Sequence, residues 1–230
     1  MTVRDQDYAL WLRKASGPRE ERSKLVVEFG GTNGGGGMGK VIFDMSMSLD
    51  GFVTGPNVRP EAPNGDGGLR LVEWAFGGDE RDRELLEGSS SSLGALIAGR
   101  RTYDLSVPWW KANGPTGAAQ LPVFVLTHKA PAEAPEGGVY TFVTDGIESA
   151  LEKAKAAAGD KDVAVMGGAD TGRQFIEAGL VDEISVHLVP VLFGSGTRMF
   201  DHLGGEHIQL ETAGVIETTA ATHLRYRVRR

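Results

Sequence analysis

Short apolar runs and amphipathic stretches alternate along most of the chain, and their spacing sets the expected elements. Lys40–Met47, KVIFDMSM, predicts a central strand that ends in a turn at Ser48-Leu49-Asp50-Gly51-Phe52. Val53–Gly68 is rich in Gly, Pro and Asn and predicts a long loop. Leu69–Phe76 predicts a short helix with Trp74 and Phe76 as packing residues. Asp79–Leu86 predicts a charged amphipathic helix with a polar exit at Ser89–Ser92. Ala95–Ala98 is a short strand that turns at Gly99-Arg100-Arg101-Thr102-Tyr103 into a helix, and Val107–Gln120 predicts a loop. Strands follow at Leu121–Thr127 and Val139–Val143, then an alanine-rich helix at Ile147–Ala158. Val163–Ala169, VAVMGGA, runs a buried strand into a Gly–Gly turn, and Thr171–Ala178 is the helix beyond it. Glu183–Val191 is a strand whose Pro190 points to an edge or a bulge. Ile208–Ile216 and Thr222–Val228 alternate like two antiparallel strands.

Strands alternate with helices and then strands follow strands. That order predicts an α/β domain with a mostly parallel sheet, an antiparallel C-terminal edge and flanking helices. Ligands in such sheets lie at the carboxyl ends of strands. Asp50, Gly99-Arg100, Thr127-His128 and Gly167-Gly168 all fall there.

Residues 1–37 have a different composition. They carry six basic and five acidic residues and end in GGTNGGGG, a glycine-rich tract typical of a flexible linker. The domain is expected over residues 38–230, after a flexible N-terminal extension, with Met38 as a candidate natural start.

Composition narrows the chemistry. The 230 residues contain no cysteine, which excludes disulfides, thiol nucleophiles and Cys-ligated metals. A net charge of −7 argues against a broad nucleic-acid footprint. No apolar stretch approaches the roughly 18 residues of a membrane span. No apolar signal core opens the chain, so a cytoplasmic protein is expected. The histidines, taken with Asp44, have no zinc-site spacing, so no metal is assigned. His187, inside an apolar strand, reads as structural, and Asp170 reads as a helix cap.

Two strand–glycine–helix units carry the most specific signal. At Gly167-Gly168, followed by Ala169-Asp170-Thr171, the backbone can approach a ligand closely, and the helix start presents free N–H groups to an anion. At Gly99-Arg100-Arg101-Thr102, two guanidiniums oppose the helix dipole unless a polyanion binds them. Thr127-His128-Lys129 adds a hydroxyl, an imidazole and an ammonium at a strand end. Together they point to a phosphorylated nucleotide with a basic pocket for an extra phosphate, hence NADP(H) over NAD(H). The chain has no GxGxxG after its first strand and no Walker A sequence.

SLDGFVTG, GRRTYD, VFVLTH and VMGGADTGRQFIEAGLVDEISVHLVPVLFGSGTRMF, in that order, resemble the dihydrofolate-reductase-like superfamily. The branch they look most like is the reductase domain of riboflavin biosynthesis and its small bacterial relatives. The resemblance covers residues 38–230. It implies a three-layer fold with an eight-stranded sheet, and NADPH as hydride donor to a small heterocycle. It implies that Gly99, Arg100, Arg101, Thr102, Thr127 and His128 hold the adenosine side of NADPH. Gly167, Gly168, Ala169, Asp170 and Thr171 would then hold its pyrophosphate. Ser48 and Asp50 would border the nicotinamide and substrate, with Trp74, Tyr103 and Trp109 as pocket wall. Met166 stands where riboflavin-type reductases often carry an acidic residue.

Two carboxylates compete as proton donor. Asp50 lies in a turn where an aspartate satisfies local N–H groups. Glu73, expected in an apolar surround on the short helix, is slightly favoured as the acid, with solvent as a third source. Relatives of this branch resemble homodimers, and Asp182–Val191 is apolar enough to pack at an interface. Two other readings stay open. One is a non-catalytic nucleotide or flavin binder on the same scaffold. The other is an interaction module recruited through residues 1–37.

Overall fold

The computed structural model describes residues 39–204 and 207–229. The expectations for residues 1–37 and for Met38 as a start lie outside them. Among the described residues ten strands are present: β1 (Val41–Ser48), β2 (Phe52–Thr54), β3 (Leu93–Gly99), β4 (Val123–Leu126), β5 (Tyr140–Val143), β6 (Asp162–Val165), β7 (Glu183–Val189), β8 (Thr197–Arg198), β9 (Leu210–Glu217) and β10 (Thr222–Val228). The α-helices are α1 (Trp74–Gly77), α2 (Glu80–Ser92), α3 (Arg100–Trp110), α4 (Ile147–Ala158) and α5 (Ala169–Glu177).

Eight strands form one sheet in the order β5-β4-β3-β6-β1-β7-β10-β9. The first six in that order run parallel, and β10 and β9 close the far edge antiparallel. The fold is therefore the three-layer, dihydrofolate-reductase-like α/β fold that the resemblance implied. β1 is central, in register with β6 through Phe43↔Val165 and with β7 through Ser46↔His187.

Alternation along the strands divides the core between the two faces. Ala95 and Ile97 of β3 and Val163 and Val165 of β6 pack with Phe43, Ala150, Ala154, Phe175 and Ile176, under α4 and α5. Leu96 and Ala98 of β3 and Ala164 of β6 point the other way, toward Tyr103 and Val107 of α3. Gly172 lets α5 lie directly on Phe43, since a Cβ there would run into the ring.

Four local expectations need correction. The stretch expected as a loop from Val107 begins as helix, because α3 continues through Pro108 to Trp110. Tyr103 and Val107 lie on its inner stripe, and a proline this close to the end removes only one hydrogen bond. Pro190 marks neither an edge nor a bulge, since β7 lies between β1 and β10 and ends at Val189, just before it. The loop expected from Val53 opens as strand, because β2 pairs with β8 in a two-stranded sheet. Asp170 is not the cap of α5. Gly168 occupies that position, and the Asp170 side chain is 90% exposed.

Candidate active site

The adjacent parallel strands β3 and β6 send their following helices to opposite faces of the sheet, α3 to one and α5 to the other. A crevice opens at such a reversal, outside the carboxyl ends of the strands. Here it is a cleft of about 1040 Å³, enough for a dinucleotide and a second small molecule.

Its floor is built from two turns set back to back. Gly99 N–H donates to Gly167 C=O over 3.1 Å. A Cβ on Gly99 would collide with the Thr171 hydroxyl, and one on Gly167 with Thr102. Gly167 (φ +86°) and Gly168 (φ +69°) also adopt backbone conformations that L side chains rarely take. Sequence dictates these turns, because only glycine allows the chain to leave the sheet this tightly.

The helix starts are the main electrostatic feature. α2 is closed by a full capping box, with Asp79 accepting from Arg81 and Asp82 amides and Asp82 bonding back to the Asp79 amide. By contrast α3, α4 and α5 begin at Gly99, Gly146 and Gly168 with no side-chain cap. All three starts line the cleft. Their first N–H groups have no intrahelical partner and carry the positive end of each dipole. The turn at Thr144–Gly146 was missed in sequence. A glycine immediately before an alanine-rich helix was the available signal.

Gly99, Arg100, Arg101, Thr102, Thr127, His128, Gly167, Gly168, Ala169, Asp170 and Thr171 all line this one cleft. Their roles in it differ. The Arg100 guanidinium is already engaged by Asp104 (2.7 Å), by the Lys129 carbonyl (2.6 Å) and by Thr127 Oγ1 (3.2 Å). It ties α3 to the end of β4. His128 and Lys129 are exposed beside it, and Arg101 is exposed at the rim.

At the other end of the cleft Trp74 and Trp109 form wall, together with Trp110, as do Asp44, Ser46 and His187. Trp74 Nε1 donates to Ser46 Oγ at 2.9 Å. Four candidates lie elsewhere. Tyr103 is buried in the core against Tyr140 and Phe142 rather than in the pocket wall. Ser48 is fully buried, donates to Asp50 Oδ1 and accepts from the Phe52 amide. Asp50 also accepts from the Phe193 and Gly194 amides, and the Ser48 hydroxyl with these donors holds its carboxyl down to about 2. It anchors a loop. Glu73 faces solvent and pairs with Arg70 at 2.6 Å, so the apolar surround expected for an acid is not there. On a helix this short, Trp74 turns inward and its neighbour outward.

Four ionisable side chains that sequence did not bring together form a chain beneath Trp74. His187 Nε2 lies 3.3 Å from Asp44 Oδ1 and His187 Nδ1 lies 2.8 Å from His223 Nδ1. His223 Nε2 lies 2.8 Å from Asp82 Oδ1. Trp74 covers both imidazoles, with ring centroids 4.2 and 4.8 Å away. Burial, reinforced by His187, lowers the His223 pKa against the pull of Asp82 and Asp44. Burial raises the Asp44 pKa, but His187, Ser185 and Arg225 outweigh it and leave a net lowering. The signal in sequence was an ionisable residue inside an apolar run, Asp44 in VIFDM and His187 in VHLV, whereas His223 lies beside Arg225 and Arg227 in THLRYRV and gave none. Among the described residues no cluster of three or more His, Cys, Asp or Glu could hold a metal ion. No helix among them is long and apolar enough to cross a membrane.

Fold and cleft together define a dihydrofolate-reductase-like domain. Residues 39–224 match the family model of the RibD C-terminal domain, and the chain belongs to that family. It is 26% identical over 167 residues to the uncharacterized protein YyaP of Bacillus subtilis, covering 70% of this chain and 80% of that one. Its fold is similar to a diaminohydroxyphosphoribosylaminopyrimidine deaminase/5-amino-6-(5-phosphoribosylamino)uracil reductase of Thermotoga maritima (TM-score 0.60, 16% identity). That likeness covers 84% of this chain and 57% of the Thermotoga protein. It is also similar to dihydrofolate reductase of Enterococcus faecalis in complex with NADP(H) (TM-score 0.52, 16% identity, 84% and 98% covered).

Proposed function

We propose that this protein is an NADPH-dependent reductase acting on a C=N or C=O group of a small pyrimidine- or pterin-like heterocycle. The observation that carries the reading is the convergence of three uncapped helix starts on one cleft. Their N–H groups and the glycine turns suit a pyrophosphate, which needs backbone donors and close approach. Gly168 supports the fit, because a Cβ there would meet only Thr102 Oγ1, at 3.4 Å, and would otherwise stand in the cradle. Arg101, His128 and Lys129 suit a 2′-phosphate. Bound NADPH supplies the hydride.

The protein's own residues do the rest. Trp74, Trp109 and Trp110 offer aromatic faces on which a flat heterocycle stacks, and they exclude water from the reacting atoms. Ser46 and Asp44 offer polar groups that orient it. Family membership and the similarity to the Thermotoga and Enterococcus reductases support a reductase of this substrate class. A cytoplasmic homodimer belongs to the same proposal, but Asp182–Val191, expected as its interface, is not available for it, because β7 is paired on both edges by β1 and β10 and buried in the core.

Met166 before the glycine pair, where an acidic residue would be expected, favours a second reading, a nucleotide binder without turnover. Oxidation of NADPH against a panel of pyrimidine and pterin acceptors separates the two. Turnover of any acceptor supports the reductase, and tight NADPH binding with none supports the binder.

A further inference from the structure

The contacts of the buried side chains beneath Trp74 impose a proton count. Three links join Asp44, His187, His223 and Asp82, and each link needs one hydrogen. The outer links are imidazole to carboxylate, so with Asp44 and Asp82 ionised Nε2 of each histidine carries a proton. In the middle link Nδ1 faces Nδ1 at 2.8 Å, so one of those two nitrogens carries a proton as well. Two neutral imidazoles hold two ring protons. Filling all three links takes a third, so the pair carries one shared positive charge between two carboxylates. With two protons, one link would set acceptor against acceptor.

The surroundings fit a stored proton. The side chains of His187, His223 and Asp82 are 6%, 4% and 0% exposed, and Asp44 is 38% exposed. Asp82 is fixed at the start of α2 by the capping box with Asp79, which closes the inner end. Asp44 and His187 line the cleft. The charges facing the pair are Asp44 from β1, Asp82 and Asp79 from α2, and Arg225 with its partner Glu183 from β10 and β7. The chain thus has one open end, and it lies at the tryptophan wall.

We propose that Asp44–His187–His223–Asp82 is a proton reservoir whose catalytic residue, Asp44, delivers one proton to the substrate heteroatom during reduction. This rests on the reductase reading above. As the substrate carbon accepts a hydride, the π pair of its C=N or C=O collects on nitrogen or oxygen. That atom takes a proton from Asp44, and the O–H electron pair stays on the carboxylate. Asp44 in turn draws that proton from His187 Nε2. His187 is left neutral with its proton on Nδ1, still bonded to His223, and His223 keeps its bond to Asp82. The emptied link is the one beside the cleft, the longest of the three at 3.3 Å, where water refills it.

The test counts ring protons in the ligand-free, full-length protein by nitrogen-15 NMR of the histidines between about pH 5 and 9. Three N–H protons shared by His187 and His223 are expected at the acid end of this range, lost in one coupled step as pH rises. In Asp44→Asn that step should fall by about 1 pH unit or more, because a carboxylate beside the cation is gone. Exchange of the third proton with solvent should slow in the same variant, because its exit is blocked. Two N–H protons throughout the range in the wild-type protein overturn the proposal, and this needs no variant to fold. Exchange unchanged in folded Asp44→Asn also overturns it. Titration with NADPH is run on the same sample. Failure to bind NADPH removes the reductase reading, whereas NADPH binding with only two ring protons removes the reservoir alone.

Discussion

Gly99 and Gly167 are joined by one backbone hydrogen bond of 3.1 Å, and that bond sets two helix starts side by side. Neither glycine tolerates a Cβ, because Thr171 and Thr102 occupy the space. The next residue, Gly168, is different. Its Cβ position is 3.4 Å from Thr102 Oγ1, ordinary contact distance, and otherwise opens on the cleft.

Gly168→Val is therefore expected to abolish NADPH binding, because a branched side chain would stand where the proposed pyrophosphate site is. The backbone at φ +69°, ψ 150° adds strain of roughly 1–3 kcal/mol. Calorimetric binding and a thermal melt on one sample check both parts. A folded variant with wild-type affinity would make the turn purely structural.

Arg100 and Arg101 are adjacent and should behave differently. Arg100→Ala removes the tie between α3 and the end of β4 and should lower the melting temperature. Arg101→Ala should leave the melt unchanged and cut the preference for NADPH over NADH. A lost charge-assisted hydrogen bond is worth about 1.5–3 kcal/mol, or roughly ten- to a hundredfold in affinity. Titrating both cofactors against both variants gives the comparison.

Asp50 links acid stability to the loop after β1. Its carboxyl, held at about 2 by Ser48 and by the Phe193 and Gly194 amides, lies below the unfolded value. A depressed carboxylate stabilises the fold above its unfolded pKa, near 4, and that contribution is lost as pH falls through the folded value. Melting temperatures between about pH 5 and 2 should fall less steeply in Asp50→Asn than in the wild type. Parallel curves would detach Asp50 from this loss.

Gly172→Ala should destabilise the core, because the new methyl meets the fully buried ring of Phe43. Overpacking costs roughly 1–3 kcal/mol, offset in part by about 1 kcal/mol of helix propensity. A denaturant midpoint below wild type is the expected result.

The strand–helix alternation was legible in sequence because parallel strands buried on both faces are near-continuous apolar runs, as in VAVM and ALIA. The glycine turns were legible because no other residue makes them. Two features were not. Which side of the short helix at Trp74–Gly77 faces the cleft depends on packing, so Glu73 and Trp74 could not be told apart by spacing. The Asp44–His187–His223–Asp82 chain joins residues 36 to 143 positions apart, and only the sheet order β1-β7-β10 brings its three strand members side by side. Tyr103 was misplaced for a related reason. The helix after a ligand-binding turn has an inner stripe as well as a first turn, and Tyr103 lies on that stripe, in the core.

The central claim is that this cleft holds NADPH, and the most direct measurement is a fluorescence titration of the wild-type protein with NADPH and, in parallel, NADH. Saturable binding of NADPH, about tenfold or more tighter than NADH, is the expected result. Equal affinities, or no binding of either, would contradict it.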